Sequence, residues 1–266
     1  MMKQITLGRY YPGNSLLHQL DPRAKIILSV CFMAVIFLTD QPLPMILVAV
    51  LTLAMILISR VPIRHILSSL KPILFILIFA FVINLFTVQG DPLLTIGSVA
   101  ISDQGLYTAI RMAARLMFLI ISTTLLLTLT TTPILVADAI ERLLNPLKRI
   151  RFPAHEMAMM MSIALRFVPT LLEETDKIMK AQSSRGADYD TGNLIAKAKG
   201  LVTVLIPLFV SAFKRAEELA VAMEARCYRG GEGRTRLKIL HYGPKDIVFT
   251  IVFLIACTAI LLVQYL

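Results

Sequence analysis

The chain has 266 residues, 57% of them hydrophobic and 17% charged, with a mean hydropathy of +0.75 and a formal net charge of +10. Soluble domains are nearer half apolar with about a quarter of residues charged, so this composition excludes an ordinary soluble domain and points to a multi-span membrane protein. A soluble chain this basic would suggest nucleic acid, but here the positive charge collects in particular loops and no nucleic-acid partner is expected. Cys31, Cys227 and Cys257 show no CxxC spacing and His18, His65, His155 and His241 are isolated, so neither a disulfide framework nor a metal site is expected.

In chain order, the N-terminal segment carries Lys3, Arg9, Arg23 and Lys25 before the first apolar run. No small-residue cleavage site follows that run, so no removable signal peptide is expected. Crossing about 30 Å of hydrocarbon takes roughly 20 apolar residues. The candidate spans are about 26–39, 43–59, 72–88, 107–130 and 246–265, and Thr39-Asp40-Gln41-Pro42-Leu43-Pro44 reads as a tight turn between the first two. Lys and Arg are absent from links 40–44 and 89–105, number three between 60 and 71, and number 18 against 12 Asp and Glu in 131–245. The positive-inside rule then places the N-terminus and 131–245 in the cytoplasm. Arg111 and Arg115 lie one turn apart near the outer end of the fourth span. A mid-membrane charge costs about 2.5–3.5 kcal/mol on insertion scales, so they either snorkel to the outer interface or face the bundle interior or a partner.

The fold class expected is an all-α membrane protein: about four spans in 1–130, a cytoplasmic block in 131–245, and a fifth span in 246–266. Within the block, Thr132-Pro133 opens a short helix of about 134–147, broken by Asn145-Pro146 and Phe152-Pro153. A long helix of about 154–185 follows, with apolar positions near a 3.6 period and acid–base pairs at i,i+4, Glu173 with Lys177 and Asp176 with Lys180. A second, about 194–227, carries a possible Lys214–Glu218 pair, and its stretch 201–213 is apolar on all sides, as expected of a buried or interfacial helix. Pro169 and Pro207 lie inside the two helices, where each should produce a kink. The loop Asp188–Asn193 between them is a cluster of turn-forming residues, and Gly230-Gly231-Glu232-Gly233 makes a flexible exit.

Both long helices finish on an arginine with small neighbours: Arg185 between Ser184 and Gly186, and Arg226 between Ala225 and Cys227. Cations at a helix C-terminus are favoured by the macrodipole, and glycine supplies a left-handed stop. Two such ends with small flanks point beyond a routine stop. They expose a planar guanidinium fork that can meet a partner's carboxylate with two bonds. Met157, Met160 and Met161, with Met159, Met179 and Met223, either fill core gaps or form an adaptable surface, because methionine repacks readily.

Catalytic motifs do not occur. There is no G-x-x-x-x-G-K-[ST], no H-E-x-x-H and no G-x-S-x-G. Glu173-Glu174 lacks the arginine and histidine that would suggest an intramembrane protease, and reads as a solvated helix face.

Several of these segments resemble the transmembrane T component of energy-coupling factor (ECF) transporters, the EcfT/CbiQ-like family. Ala164-Leu165-Arg166-Phe167-Val168-Pro169, the pair Glu173-Glu174 and Ala181-Gln182-Ser183-Ser184-Arg185-Gly186 are similar to its first coupling-helix signature, and Ala222-Met223-Glu224-Ala225-Arg226-Cys227-Tyr228 to the second. Thr131-Thr132-Pro133 and Asn145-Pro146 fit the lead-in. Where the family usually has Ala-Arg-Gly, this chain has Ser-Arg-Gly and Ala-Arg-Cys, which keep the arginine and the small flanks. The resemblance implies a multi-pass coupling subunit in the cell membrane and no enzyme. Two cytoplasmic ABC ATPases would receive the Arg185 and Arg226 ends and bind the ATP, so no cofactor is expected on this chain. A membrane S component would bind the vitamin or metal ion, docking on Met157, Met160, Met161, Pro169 and Pro207. An intramembrane enzyme, or a stand-alone carrier with Arg111 and Arg115 in its pathway, remains the alternative from composition alone.

Overall fold

A computed structural model describes residues 10–88, 90, 92–96, 99–146, 153–187, 194–230 and 241–266. The turn cluster 188–193, the glycine-rich stretch after Gly230 and the N-terminal charges Lys3 and Arg9 lie outside the described residues. The chain divides into two compact units, with boundaries at Ala139/Ile140 and Leu237/Lys238.

The larger unit is a helical bundle. After a one-turn helix α1 (Leu16–Gln19), α2 (Pro22–Leu38) starts with Asp21 at the N-cap and Pro22 in the first turn. The Asp21 carboxylate accepts the Arg23 N–H at 2.9 Å and pairs with the Arg23 guanidinium at 2.7 Å. An acceptor at the N-cap and a proline just inside are what a helix start requires, because the first N–H groups have no partner within the helix. Leu28, Phe32, Val35 and Ile36 recur at helical spacing and are buried. They meet Val48 and Met55 of α3 (Pro42–Ser59) and Phe253, Cys257 and Ile260 of α10 (Pro244–Tyr265) in one core, where the Phe32 and Phe253 rings meet edge to face at 5.5 Å.

The third apolar segment is more complex than its sequence suggests. It comprises α4 (Ile63–Leu70) and α5 (Leu74–Thr87), which meet at 62°. Pro72 stands in the break, where it cannot donate a helical hydrogen bond, although Lys71 before it keeps helical backbone angles, φ −49° and ψ −49°. None of the α5 side chains is buried. The link 89–105, expected as a loop, contains an antiparallel hairpin of β1 (Pro92–Ile96) and β2 (Val99–Ser102). Ser102 then caps α6 (Asp103–Thr123) by accepting the Gly105 N–H at 3.0 Å while donating to the Val88 carbonyl at 2.6 Å. A Cβ at Gly105 would lie 2.8 Å from the Ser102 oxygen and 3.0 Å from the Leu85 carbonyl, so glycine is required where α5 approaches α6.

From Thr124 to Leu129 the helix continues as a π-helix, with Leu125, Leu126 and Leu129 fully buried. Just past it lies a buried ammonium. Lys25 is 1% exposed, and its Nζ donates to the Thr130 carbonyl at 3.0 Å and the Thr131 hydroxyl at 3.1 Å. Asp21 and Asp246, both buried, stand close enough to act on its charge. Asp246 accepts the Asp21 N–H at 2.8 Å and the Gly243 N–H at 2.8 Å, joining the starts of α2 and α10.

The opposite end of the bundle is closed by Asp40. The Arg115 guanidinium donates to the Thr39 carbonyl and, at 2.9 Å, to the Asp40 carboxylate, and Arg111 donates to the Asp40 carbonyl at 3.2 Å. These arginines therefore turn onto the bundle's own α2–α3 turn. Gln264 of α10 accepts the N–H groups of Asp40 and Gln41 at 3.1 and 3.2 Å.

Helices stand at all five places where spans are predicted. Three stretches, Pro42–Ser59, Asp103–Leu129 and Pro244–Tyr265, are long and apolar enough to cross a membrane, and the bent α4–α5 pair adds a fourth if it counts as one span. With 17 residues, α2 lies at the short end of the range for a span. The protein is an all-α membrane protein apart from the hairpin.

The buried ammonium yields a stability prediction. Lys25→Met removes the donor from two buried oxygens and the cation from beside two carboxylates. Leaving buried polar groups unanswered costs about 1–3 kcal/mol. Thermal unfolding of the purified variant in detergent is expected to show a clear loss of stability, whereas Lys214→Met, at an exposed site, gives none.

Candidate partner-docking site at two helix ends

The smaller unit contains the two long helices, α8 (Ala154–Ser184, 31 residues) and α9 (Leu194–Ala225, 32 residues). At 1.5 Å per residue each is about 45 Å long. Both continue through their internal prolines, Pro169 and Pro207. The end of the preceding helix α7 (Pro133–Leu144) is tied to the start of α8 by Glu141, whose carboxylate meets His155 Nδ1 at 3.0 Å.

α8 and α9 pack against each other, and among the described residues one polar cluster joins them. Glu174 accepts the Ser211 hydroxyl on one carboxylate oxygen and the Arg215 guanidinium on the other, the latter at 2.7 Å. The Ser211 hydrogen bond, with Arg215 and Lys177 close by, holds the Glu174 carboxyl below the usual carboxylate range despite the opposing cost of burial. This corrects the reading of Glu173-Glu174 as a solvated face: Glu173 is exposed, but Glu174 turns to the neighbouring helix. Of the pairs read along the helices, Asp176–Lys180 closes at 2.6 Å. Among the described residues no ion pair joins Glu173 to Lys177 or Lys214 to Glu218. On α9 it is Arg215, one residue further round the helix, that finds a carboxylate.

The stretch 201–213, expected to be buried or interfacial, is not buried in this chain. Ile206 is 60% exposed and Phe213 72%, while Val204 is 4% exposed. A helix packed against a single neighbour covers one narrow stripe, and 201–213 is apolar all round. Met157, Met160 and Met161 are exposed as well, so they do not fill a core. Pro169 is exposed and Pro207 half-buried.

The two helix ends share one backbone solution. At the end of α8, the Gly186 N–H bonds the Ser183 carbonyl at 3.0 Å and the Ala187 N–H bonds the Gln182 carbonyl at 2.9 Å. At the end of α9, the Cys227 N–H bonds the Glu224 carbonyl at 2.8 Å and the Tyr228 N–H bonds the Met223 carbonyl at 3.0 Å. Each is a Schellman motif, in which a residue with left-handed backbone lets the chain fold back and answer the last carbonyls. The left-handed residues are Gly186, with φ 86°, and Cys227, with φ 56°. Arg185 and Arg226 thus occupy the same C-cap position in matching frames. All six residues of the two triplets are exposed. The Ser184 hydroxyl folds back onto the Lys180 carbonyl at 3.1 Å, out of the way of its neighbour. Among the described residues neither guanidinium has an ion-pair or hydrogen-bond partner. The arrangement therefore offers two exposed, fork-shaped cations, carried on defined backbone caps, to carboxylates or carbonyls from outside.

The left-handed stop at Gly186 is legible in sequence, because glycine adopts positive φ without steric cost. Its counterpart at Cys227 is hidden, since cysteine has no preference that would reveal it. The Glu174–Ser211–Arg215 contact is also invisible, because nothing along the chain says which faces of two helices meet.

Comparison with known proteins bears on the whole arrangement. Residues 13–237 match the CbiQ family, described as cobalt transport protein. The chain is 54% identical over 265 residues to the energy-coupling factor transporter transmembrane protein EcfT of Ruminiclostridium cellulolyticum, which covers 100% of this chain and 99% of that protein. It is 48% identical over 262 residues to the protein of the same name from Bacillus subtilis, covering 98% of each. The EcfT of Thermosediminibacter oceani is 48% identical over 246 residues, or 92% of each chain. These relatives are named as transmembrane components of a transporter and not as enzymes. On the extent of these matches, and with apolar helices of membrane-spanning length, the chain belongs to the EcfT/CbiQ family of energy-coupling factor transporter transmembrane proteins.

Proposed function

We propose that this chain is the coupling subunit of an ECF-type ABC importer, carrying ATP-driven motion from two cytoplasmic ATPase subunits to a membrane S component that binds a vitamin or another micronutrient. The observation that carries the reading is the pair of matched helix caps. Two arginines on separate helices are presented by the same backbone motif, both exposed and both without a partner among the described residues. Two similar ATPase subunits need two similar contacts. Arg185, flanked by Ser184 and Gly186, serves one, and Arg226, flanked by Ala225 and Cys227, serves the other. Rigid helices of about 45 Å carry displacement at these ends along the whole unit. ATP is bound and hydrolysed on the partner subunits, and this chain needs no cofactor of its own.

The S component docks on the apolar side chains that the smaller unit leaves uncovered: Met157, Met160 and Met161 with Pro169 on α8, and the stretch around Pro207 on α9. Exposed apolar patches of this extent mark interaction surfaces, and methionine suits a surface that accepts more than one partner. The excess of Lys and Arg in 131–245 supports a cytoplasmic position for this unit and the N-terminus.

Two predictions follow from the caps. Removing one side of a desolvated ion pair costs about 3–5 kcal/mol. Arg185→Ala is therefore expected to weaken recovery of the ATPases with the tagged subunit, and Arg185→Ala with Arg226→Ala to abolish both recovery and uptake. A fully assembled, active complex from the double variant refutes the docking role. The second prediction concerns backbone shape. Gly186→Val keeps Arg185 but forces a branched side chain into left-handed backbone, at about 1–2 kcal/mol, and is expected to weaken co-purification. Cys227→Gly removes strain from the second cap and is expected to preserve or strengthen it.

A further inference from the structure

Glu174 and Arg215 hold a particular place between the two caps. Arg185 lies eleven residues after Glu174 on α8, and Arg226 lies eleven residues after Arg215 on α9. Both intervals are uninterrupted helix. Each arginine therefore stands about 16 Å along its helix beyond this polar contact. The contact has two arms: one Glu174 oxygen takes the Ser211 hydroxyl and the other takes the Arg215 guanidinium. Ser211 and Arg215 are one turn apart, so a single carboxylate bridges two successive turns of α9. This fixes the rotation of α9 as well as its distance.

The energetics argue against a mainly stabilising role. The Arg215 side chain is 35% exposed and that of Glu174 23%, and pairs this open add little to stability. Around the contact, α8 and α9 expose much of their apolar surface, so packing alone leaves their mutual angle loosely held. A directional contact matters most in that situation.

We propose that Glu174 is a positioning residue, the pivot that sets the separation of the Arg185 and Arg226 tips and makes displacement at one tip move the other helix. The proposal rests on the docking role of those arginines for its functional consequence, but not for its structural one. Loss of the pivot leaves both caps intact. The ATPases would still bind, and the two helices would respond to them independently.

The test separates these layers. In the full chain, with Cys31 and Cys257 replaced by alanine and Cys227 by glycine, spin labels at Ser183→Cys and Ala222→Cys report the distance between the helix ends by pulsed electron resonance. One narrow distribution is expected, broadened by Glu174→Gln and by Arg215→Gln, and narrowed again when Glu174→Arg is combined with Arg215→Glu. In the assembled transporter, Glu174→Gln is expected to retain the ATPases and their hydrolysis while uptake per ATP falls about threefold to fivefold, the change expected for a partly exposed ion pair. An unchanged distribution in Glu174→Gln overturns the proposal, as does loss of ATPase binding in parallel with uptake, or a reversed pair that restores neither distance nor uptake. Broadening by Glu174→Gln, combined with an Arg185→Ala and Arg226→Ala variant that still binds ATPases, would overturn the docking role and leave the pivot standing.

Discussion

Every helix leaves several backbone groups unanswered at each end, and in a chain this apolar there is little water to answer them. Much of the architecture responds to that constraint. At one end of the bundle, Asp246 takes the N–H groups of Asp21 and Gly243, Asp21 takes that of Arg23, and Lys25 reaches the Thr130 carbonyl beyond the π-helix. At the other end, Arg115 takes the Thr39 carbonyl and Gln264 takes the N–H groups of Asp40 and Gln41. Asp21, Lys25, Arg115 and Asp246 thus serve as terminators of helix ends. That accounts for ionised groups being tolerated beside an apolar core, since an unpaired charge in hydrocarbon costs several kcal/mol.

The same constraint produces the candidate docking site by another route. α8 and α9 answer their last carbonyls with their own backbone, through a left-handed residue after each arginine. Because the caps need no side chain, the arginines are left for another task. In the membrane unit Lys25 and Arg115 answer backbone carbonyls near helix ends. In the smaller unit α8 and α9 close with their own backbone and leave Arg185 and Arg226 exposed.

The two units also differ in how their surface is covered. The bundle buries one face of each of α2, α3 and α10 in a shared core and leaves α5 open to its surroundings. In the smaller unit two long helices cover only a stripe of each other, and side chains as large as Phe209 and Phe213 stay exposed. A surface of that kind is stable in water only when something apolar covers it. Proline inside each helix is tolerated without ending it, so length is preserved across the uncovered region.

The sequence alone determined the membrane class, the positions of five apolar helices, the two long helices of the smaller unit and the pair of terminal arginines. Each depends on quantities carried locally along the chain: hydrophobic run length, helical period and the turn preference of glycine. The tertiary structure decided what depends on which faces meet. Lys25, counted in the sequence only as one positive charge among several, became a buried donor because α2 packs beside the end of the π-helix. Arg111 and Arg115 turned onto Asp40 because the α2–α3 turn lies against α6. Glu174 left the solvated face for Ser211 and Arg215. The bend between α4 and α5, by contrast, has a local cause in Pro72, which hydrophobic run length alone conceals. Pairing between distant segments is set by shape and charge summed over the whole core, and no local window of residues contains that sum.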